Sequence, residues 1–231
     1  MYSHAFISRL KTGVFPHGFY KLAVFDMDGT IVDTIGFWRN SPKRYLNSIG
    51  KEVFKEDEDY FKYYVLRDSV IKMVEKYNIE YTPDELFRLL EDEVKVGYKT
   101  IKGFKAGADA FLLKLKEKGI PTILYTANER EYVDIINENL SLDRYFDHIF
   151  TATELGAGKD SREGFERIAK MYGKAINDIV LFEDSYYAIH SAKEFGMQSV
   201  AISDTHSENR LQEIKNECTY FINTYKDLPI S

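Results

Sequence analysis

The sequence predicts an α/β fold, a parallel β-sheet with helices between its strands and an all-helical insertion after the first strand. Five short apolar runs alternate with helix-length segments, which is typical of βαβ units. Between about residues 34 and 102 there is no good strand pattern, only helical patterns rich in Tyr, Phe, Lys and Glu. We therefore predict a core of residues 1–33 and 103–231 and a helical insertion of residues 34–102.

The core elements follow from hydrophobic periodicity and from helix-end residues. Helices are predicted at 106–118, 128–140 and 162–172, the first ending at Gly119 and the last at Gly173. Within the insertion, Thr82 followed by Pro83 and Glu85 has the pattern of a capped helix start. The strands are predicted at residues 22–25, 122–125, 148–150, 179–182 and 199–202.

Composition excludes several classes of protein. The 231 residues are 44% apolar and carry a net charge of −6, without the basic stripe of a nucleic-acid binder. No apolar stretch reaches the about 20 residues of a membrane span. Residues 1–20 form an extension that makes a poor secretory signal, and Cys218 is the single cysteine. We therefore expect a cytoplasmic protein without nucleic-acid or membrane partners, while its oligomeric state stays open.

Two carboxylates follow the first predicted strand. Asp26 and Asp28 stand two residues apart, and Gly29 then allows the chain to turn. Close carboxylates repel one another unless they share a cation or a proton, so the pair indicates a divalent metal or acid–base chemistry. Oxygen ligands of this kind suit Mg²⁺.

Three more strand ends carry polar groups. Thr126 and Ala127 end the second strand before a helix, where a hydroxyl and backbone N–H groups can bind an anion, although Asn128 could simply cap that helix. Lys159 lies in a glycine-containing loop that does not meet the P-loop pattern. A second acidic pair, Glu183 and Asp184, follows the fourth strand, and ligands of open α/β sheets bind at this edge.

These four sites resemble the four motifs of the haloacid dehalogenase superfamily. The stretch EDSYYAIHSAKEFGM is similar to the fourth motif of its β-phosphoglucomutase-like branch. The resemblance implies a Rossmann-like core and an α-helical cap domain at residues 34–102. The first motif, D-x-D-x-T-[LI]-x-D, is met by Asp26, Asp28, Thr30, Ile31 and Asp33.

The resemblance also implies the roles of the strand-end residues. Asp26 would be the nucleophile that forms an aspartyl-phosphate, and Asp28 the general acid and base. Mg²⁺ would be held by the Asp26 carboxylate, the Asp28 backbone carbonyl and Asp184, with Glu183 either as a further ligand or as a residue that supports the ligands. The phosphoryl oxygens would be neutralised by Thr126, Ala127 and Lys159.

The chain departs from the branch in the third motif. Both prolines that often follow the Lys are missing, Glu163 stands in place of an Asp, and the rigidity of the loop is therefore open. In the fourth motif, Ala188 replaces a Gly.

There are three alternatives to hydrolysis of a phosphate ester: a dehalogenase, a phosphomutase and a non-catalytic scaffold. The acid–base residue Asp28 argues against a dehalogenase. Mutases of the branch carry a His ten residues after the second Asp, and Trp38 stands there, so hydrolysis is favoured over a phosphomutase. A non-catalytic scaffold is disfavoured because Asp26 and Asp28 are both present.

The cap must select the substrate, and here the sequence says little. Trp38, Arg39, Lys43 and Arg67 are candidates to face the site. We expect a small phosphorylated metabolite, such as a sugar phosphate, and fold kinship alone does not name it.

Overall fold

The computed structural model describes residues 21–228, and the predicted extension at residues 1–20 lies outside this range. Its six strands form one parallel sheet in the order β3-β2-β1-β4-β5-β6, with β1 hydrogen-bonded to both β2 and β4. The prediction of a parallel α/β sheet is confirmed. The strands are β1 (Leu22–Phe25), β2 (Thr122–Thr126), β3 (His148–Thr151), β4 (Ile179–Glu183), β5 (Gln198–Ile202) and β6 (Tyr220–Ile222).

The helices occupy the positions that the alternation predicts. Four lie between β1 and β2 in the insertion: α1 (Ile35–Ser48), α2 (Lys55–Tyr63), α3 (Leu66–Tyr77) and α4 (Pro83–Lys99). The others are α5 (Ala108–Glu117), α6 (Arg130–Leu140), α7 (Ala152–Leu155), α8 (Arg162–Met171), α9 (Tyr186–Glu194) and α10 (Leu211–Glu217). Among these described helices, none is both long and apolar enough to cross a membrane.

The central strand β1 is buried on both faces of the sheet. Ala23 and Phe25 belong to one apolar cluster, whereas Leu22 and Val24 belong to the cluster on the opposite face. Side chains alternate between the faces of a strand, and a parallel sheet covered by helices on both faces requires such a continuous apolar run. The carboxyl end of β1 is thereby fixed at the centre of the molecule.

The helical insertion has an apolar core of its own, which includes Leu46, Phe61, Val70 and Met73. Its fourth helix begins as predicted, with Thr82 and Glu85 forming a reciprocal capping box. That residues 34–102 form a separate cap domain remains a prediction.

Two features of the core differ from the sequence prediction. Strand β6 was not predicted, because three residues at a sheet edge are too short to show an alternating pattern. Asn128 is not the cap of α6, since Glu129 occupies the cap position and the Asn128 side chain turns towards Asp28 instead.

Candidate active site

The candidate site lies where the three central strands end. Asp26 follows β1, and its backbone N–H donates a 3.0 Å hydrogen bond to Phe182 of β4. Thr126 and Glu183 are the last residues of β2 and β4, the two neighbours of β1. Sheet order therefore brings together side chains that are more than 150 residues apart in the chain.

The ammonium group of Lys159 bridges two buried carboxylates. Its Nζ donates to the Asp26 carboxylate and, at 2.7 Å, to Oε2 of Glu183. All three residues are at most 6% exposed. A buried lysine of this kind must be paired, because an isolated charge away from water is very costly.

The loop that carries Lys159 is held in place although it lacks the two prolines that often follow the Lys in the β-phosphoglucomutase-like branch. The Tyr125 hydroxyl, from β2, donates a 2.6 Å hydrogen bond to the carbonyl of Ala157, and the Gly158 carbonyl accepts one of 3.0 Å from Ser161. Gly164 packs so closely on Tyr125 that an added Cβ would lie 2.5 Å from its hydroxyl oxygen. These contacts hold the loop against the core.

Three of the carboxylates can converge on a metal ion. Asp26, Glu183 and Asp184 each offer an oxygen, and these atoms lie within 4.8 Å of one another. Gly29 is required beside them, since its φ is +75° and a Cβ there would lie 2.7 Å from the Asp184 carboxylate. A set of hard oxygen donors fits Mg²⁺ in its chemistry.

Within residues 21–228, the hydrogen-bond donors to the Asp28 carboxylate are all neutral. One carboxylate oxygen, Oδ1, accepts from the hydroxyls of Thr34 and Tyr98. The other oxygen, Oδ2, accepts a 2.6 Å hydrogen bond from the side-chain amide of Asn128. Asp26 and Asp28 are therefore two residues apart but lie in different electrostatic environments.

A cavity of about 470 Å³ opens above these carboxylates and separates them from the helical insertion. The insertion contributes apolar and charged side chains from α1, from the beginning of α3 and from α4. They are Ile35, Trp38, Arg39, Val65, Leu66, Arg67, Phe87 and Glu91. A cavity of this size suits a small-molecule ligand.

Comparison with known families decides the identity of the fold. The family model described as haloacid dehalogenase-like hydrolase matches residues 23–202, which contain all four strand-end sites. The chain belongs to the haloacid dehalogenase-like hydrolase family. The resemblance inferred from the four motifs is thus confirmed, and so is its consequence that the chain is a hydrolase-family enzyme.

Two curated relatives in this family are named as phosphatases. The chain is 23% identical over 181 residues to a phosphorylated carbohydrates phosphatase from Thermotoga maritima, covering 78% of this chain and 83% of that one. It is 24% identical over 201 residues to validoxylamine A 7′-phosphate phosphatase from Streptomyces hygroscopicus subsp. limoneus, covering 84% and 91%.

Solved structures of the family share the whole fold. A family IA hydrolase from Entamoeba histolytica has a TM-score of 0.75 at 20% identity and covers 91% of this chain and 96% of that one. A β-phosphoglucomutase from Clostridium difficile has a TM-score of 0.68 at 17% identity, with 91% and 94% covered. At these identities the structures establish the fold alone.

Burial raises the pKa values of three carboxylates in this candidate site, those of Asp26, Asp28 and Asp184. For Asp26, burial and then the charge of Glu183 raise the pKa from 3.8 to about 8, against the opposing charge of Lys159. Burial also raises the pKa of Asp28, against the hydrogen bonds of Thr34 and Tyr98. The pKa of Asp184 is raised well above its ordinary value, first by burial and then by Glu183. Perturbation of this kind is common at functional sites.

The structure also locates the predicted cap residues. Trp38, Arg39 and Arg67 line the cavity. The guanidinium of Arg67 is paired with Asp84 and lies 4.2 Å over the ring of Phe87. Among the residues that the structure describes, Nη1 of Arg39 is buried without a hydrogen-bond partner.

Lys43 is placed differently from the other cap candidates. It is paired with Glu58 at 2.6 Å and does not line the cavity described above.

Sequence reasoning missed the residues that hold Asp28. Tyr98 lies in the last turn of α4, 70 residues from Asp28. Its spacing from the other apolar residues of α4 is that of an ordinary buried helix residue, so the sequence gives no sign of its contact with Asp28. Thr34 follows the first motif directly and its position beside Asp33 offered a signal that was not used.

Proposed function

We propose that the chain is a Mg²⁺-dependent phosphatase of a small phosphorylated metabolite, with Asp26 as nucleophile and Asp28 as general acid and base. The contrast between the two carboxylates carries this proposal. Asp26 accepts a hydrogen bond from the Lys159 cation within the acidic group, whereas the donors to Asp28 among the described residues are all neutral. Two carboxylates in unlike environments can take unlike protonation states and roles.

The proposed reaction has two displacements at phosphorus. The Asp26 carboxylate attacks phosphorus, and the bond to the ester oxygen breaks as that oxygen takes a proton from Asp28. The phosphoryl group is then an acyl phosphate on Asp26. Asp28 next takes a proton from water, whose oxygen attacks phosphorus and releases inorganic phosphate, which restores Asp26. A covalent intermediate divides one difficult step into two easier ones.

Charge neutralisation is the main requirement for phosphoryl transfer. We propose that the Lys159 ammonium, the Thr126 hydroxyl and the backbone N–H of Ala127 neutralise the phosphoryl oxygens. We propose that Mg²⁺ is held by Asp26, Glu183 and Asp184 together with the Asp28 backbone carbonyl. A bound Mg²⁺ supplies positive charge that keeps the Asp26 carboxylate ionised and offsets the charge of the phosphate.

The leaving group would occupy the cavity beneath the insertion. Trp38 offers an aromatic wall there, while Arg39 offers a buried N–H without a partner among the described residues. We propose that Arg39 donates to an oxygen of the substrate, because a buried donor left unpaired is costly. Arg67 also lines the cavity and is proposed as a contact to the substrate. The T. maritima relative, named for phosphorylated carbohydrates, supports a sugar phosphate as one class to test.

Phosphate release from a panel of phosphorylated metabolites, with and without Mg²⁺, tests the proposal. The panel includes β-glucose 1-phosphate, and Asp26→Asn protein prepared in parallel controls for contaminating phosphatases. Release by the wild type alone, dependent on Mg²⁺, supports a phosphatase. Conversion of β-glucose 1-phosphate to glucose 6-phosphate without release would instead identify a phosphomutase.

A further inference from the structure

Tyr98 is the point at which the helical insertion touches the acid–base carboxylate. It lies in the last turn of α4 and is completely buried in the apolar cluster of the α/β core. The neighbouring residue allows this approach: a Cβ at Gly97 would overlap the ring of Phe37 in α1. The end of α4 is thereby packed tightly enough for the Tyr98 hydroxyl to reach Asp28.

The hydrogen bonds of Tyr98 fix the direction of its hydroxyl proton. Its oxygen accepts a 2.7 Å hydrogen bond from the indole N–H of Trp38 and a 3.0 Å hydrogen bond from the side-chain amide of Asn128. A hydroxyl has one hydrogen to donate and two lone pairs to accept with. Both lone pairs are used, so the hydrogen is directed to Oδ1 of Asp28.

The orientation of the Asn128 amide is fixed by the same contacts. Its nitrogen lies 2.6 Å from Oδ2 of Asp28 and 3.0 Å from the Tyr98 oxygen, so its two hydrogens have two acceptors. Rotation of the amide by half a turn would place its oxygen against a carboxylate. With Asp28 ionised, this alternative is unfavourable because neither oxygen then carries a hydrogen to donate.

The two oxygens of Asp28 are consequently not equivalent. Oδ1 accepts two hydroxyl hydrogens, from Thr34 and Tyr98, which fill its two lone pairs. Oδ2 accepts only the Asn128 amide among the described residues and keeps a lone pair available. Asp28 lines the cavity, so its carboxylate is within reach of a ligand there.

We propose that Tyr98, itself oriented by Trp38 and Asn128, is a positioning residue that anchors Oδ1 of Asp28 and leaves Oδ2 for proton transfer. The inference rests on the proposed role of Asp28 as general acid. It also ties that role to the insertion, because Tyr98 and Trp38 come from the last and first helices between β1 and β2.

The test compares Tyr98→Phe with a matched variant, Tyr77→Phe. Tyr77 is also a buried tyrosine of the insertion, and its hydroxyl donates a 2.6 Å hydrogen bond to the buried Asp57, away from the cavity. Both variants lose one tyrosine-to-carboxylate hydrogen bond. Circular dichroism and thermal melting of each variant separate the loss of stability from the loss of rate.

The informative readout is the dependence of kcat/KM on the leaving group. An alkyl phosphate needs protonation of its leaving oxygen, whereas p-nitrophenyl phosphate needs little, so the best alkyl phosphate of the panel is compared with p-nitrophenyl phosphate. General acid catalysis contributes about 10²- to 10⁴-fold. We expect Tyr98→Phe to lower kcat/KM roughly 10- to 100-fold for the alkyl ester and less than about 3-fold for the aryl ester.

Three outcomes decide the proposal. Equal losses on both substrates, or an effect no larger than that of Tyr77→Phe, would overturn it. If Tyr98→Phe does not fold, Trp38→Phe takes its place, which removes the N–H donor to Tyr98 and also reduces an aromatic wall of the cavity. The ratio of kcat/KM between the two substrates is then the readout, and the absence of leaving-group dependence in that variant would overturn the proposal too. Wild-type protein that is inactive on the whole panel would instead contradict the proposed phosphatase function.

Discussion

The ammonium of Lys159 contacts the carboxylates of Asp26 and Glu183 at once, although the three residues come from different parts of the chain. Burial alone would lower the pKa of Lys159, but the charges of Asp26 and Glu183 outweigh it and raise the pKa. Lys159 therefore stays charged across the physiological pH range and can neutralise both Asp26, the proposed nucleophile, and an arriving phosphate.

Loss of this charge should have a large effect on the rate. We expect Lys159→Ala to lower kcat roughly 100- to 1,000-fold, since charge stabilisation at such sites is worth about 3–4 kcal/mol. Steady-state kinetics on the best panel substrate measures this, with Lys43→Ala as a control whose ammonium is paired with Glu58 outside the cavity. A loss below about tenfold would contradict the proposed role of Lys159 in neutralising the charge of the phosphate.

Asp26→Asn should abolish turnover while the fold is retained. The amide is almost the same size as the carboxylate but is a poor nucleophile, and it removes one charge from a crowded acidic group. Far-ultraviolet circular dichroism and thermal melting check the fold, and phosphate release checks the activity. Substantial residual activity in folded Asp26→Asn protein would show that Asp26 is not the nucleophile.

Stabilisation by Mg²⁺ should increase with pH. The folded-state pKa of Asp26 is about 8 against an ordinary 3.8, and that of Asp184 is raised as well. Between about pH 4 and pH 8 the folded metal-free protein therefore binds more protons than the unfolded chain, and its free energy of unfolding falls as pH rises. Mg²⁺ replaces these protons, so its benefit grows over the same range.

Thermal melting with and without Mg²⁺ at about pH 5 and about pH 8 measures this effect. At a Mg²⁺ concentration 100 times Kd the gain is about 2.7 kcal/mol. We expect the larger rise in Tm at the higher pH, and a much smaller one in Asp184→Asn. An equal rise at both pH values would contradict the assignment of this acidic group as the metal site.

The insertion should lose stability in acid through Asp57. This carboxylate is fully buried and pairs with Lys72 at 2.9 Å and Lys76 at 2.7 Å, besides its contact with Tyr77. Burial alone would raise its pKa, but these partners outweigh burial and lower the pKa below 3.8. The stabilisation is therefore present above about pH 4 and is lost as pH falls through the lowered pKa.

Asp57→Asn tests this network. We expect a loss of about 1–3 kcal/mol in free energy of unfolding at neutral pH and a weaker decline of stability in acid than in wild type. Urea unfolding at a series of pH values measures both. Identical acid profiles for the two proteins would show that Asp57 does not control this transition.

Arg39 should matter more than Arg67 for the substrate. Arg39→Met removes a guanidinium whose Nη1 has no hydrogen-bond partner among the described residues, whereas the Arg67 guanidinium is already paired with Asp84. Hydrogen bonds to charged groups are worth about 1.5–3 kcal/mol, so we expect Arg39→Met to raise KM roughly 10- to 100-fold. A larger effect in Arg67→Met than in Arg39→Met would reverse the assignment.

The strand-end residues of the site could be predicted because parallel strands bring their carboxyl ends to the same edge of the sheet. Once Asp26, Thr126 and Glu183 are placed at the ends of parallel strands, the rule that ligands bind at this edge brings them together. The prediction needed no side-chain detail.

The partners of Asp28 could not be predicted in the same way. Whether Tyr98 faces the insertion or the core depends on how closely α4 packs on α1, which is fixed by Gly97 against Phe37. Asn128 was ambiguous as well, because the helix-cap pattern and the contact with Asp28 require the same residue type.

The most direct test of the account is to find where the phosphoryl group resides during turnover. Wild-type protein is mixed with the best substrate and Mg²⁺, quenched in acid, digested and analysed by mass spectrometry, with Asp26→Asn as control. We predict a phosphoryl group on the peptide that contains Asp26 in the wild type and none in the variant. A phosphoryl group on another residue, or turnover that persists in Asp26→Asn, would contradict the account.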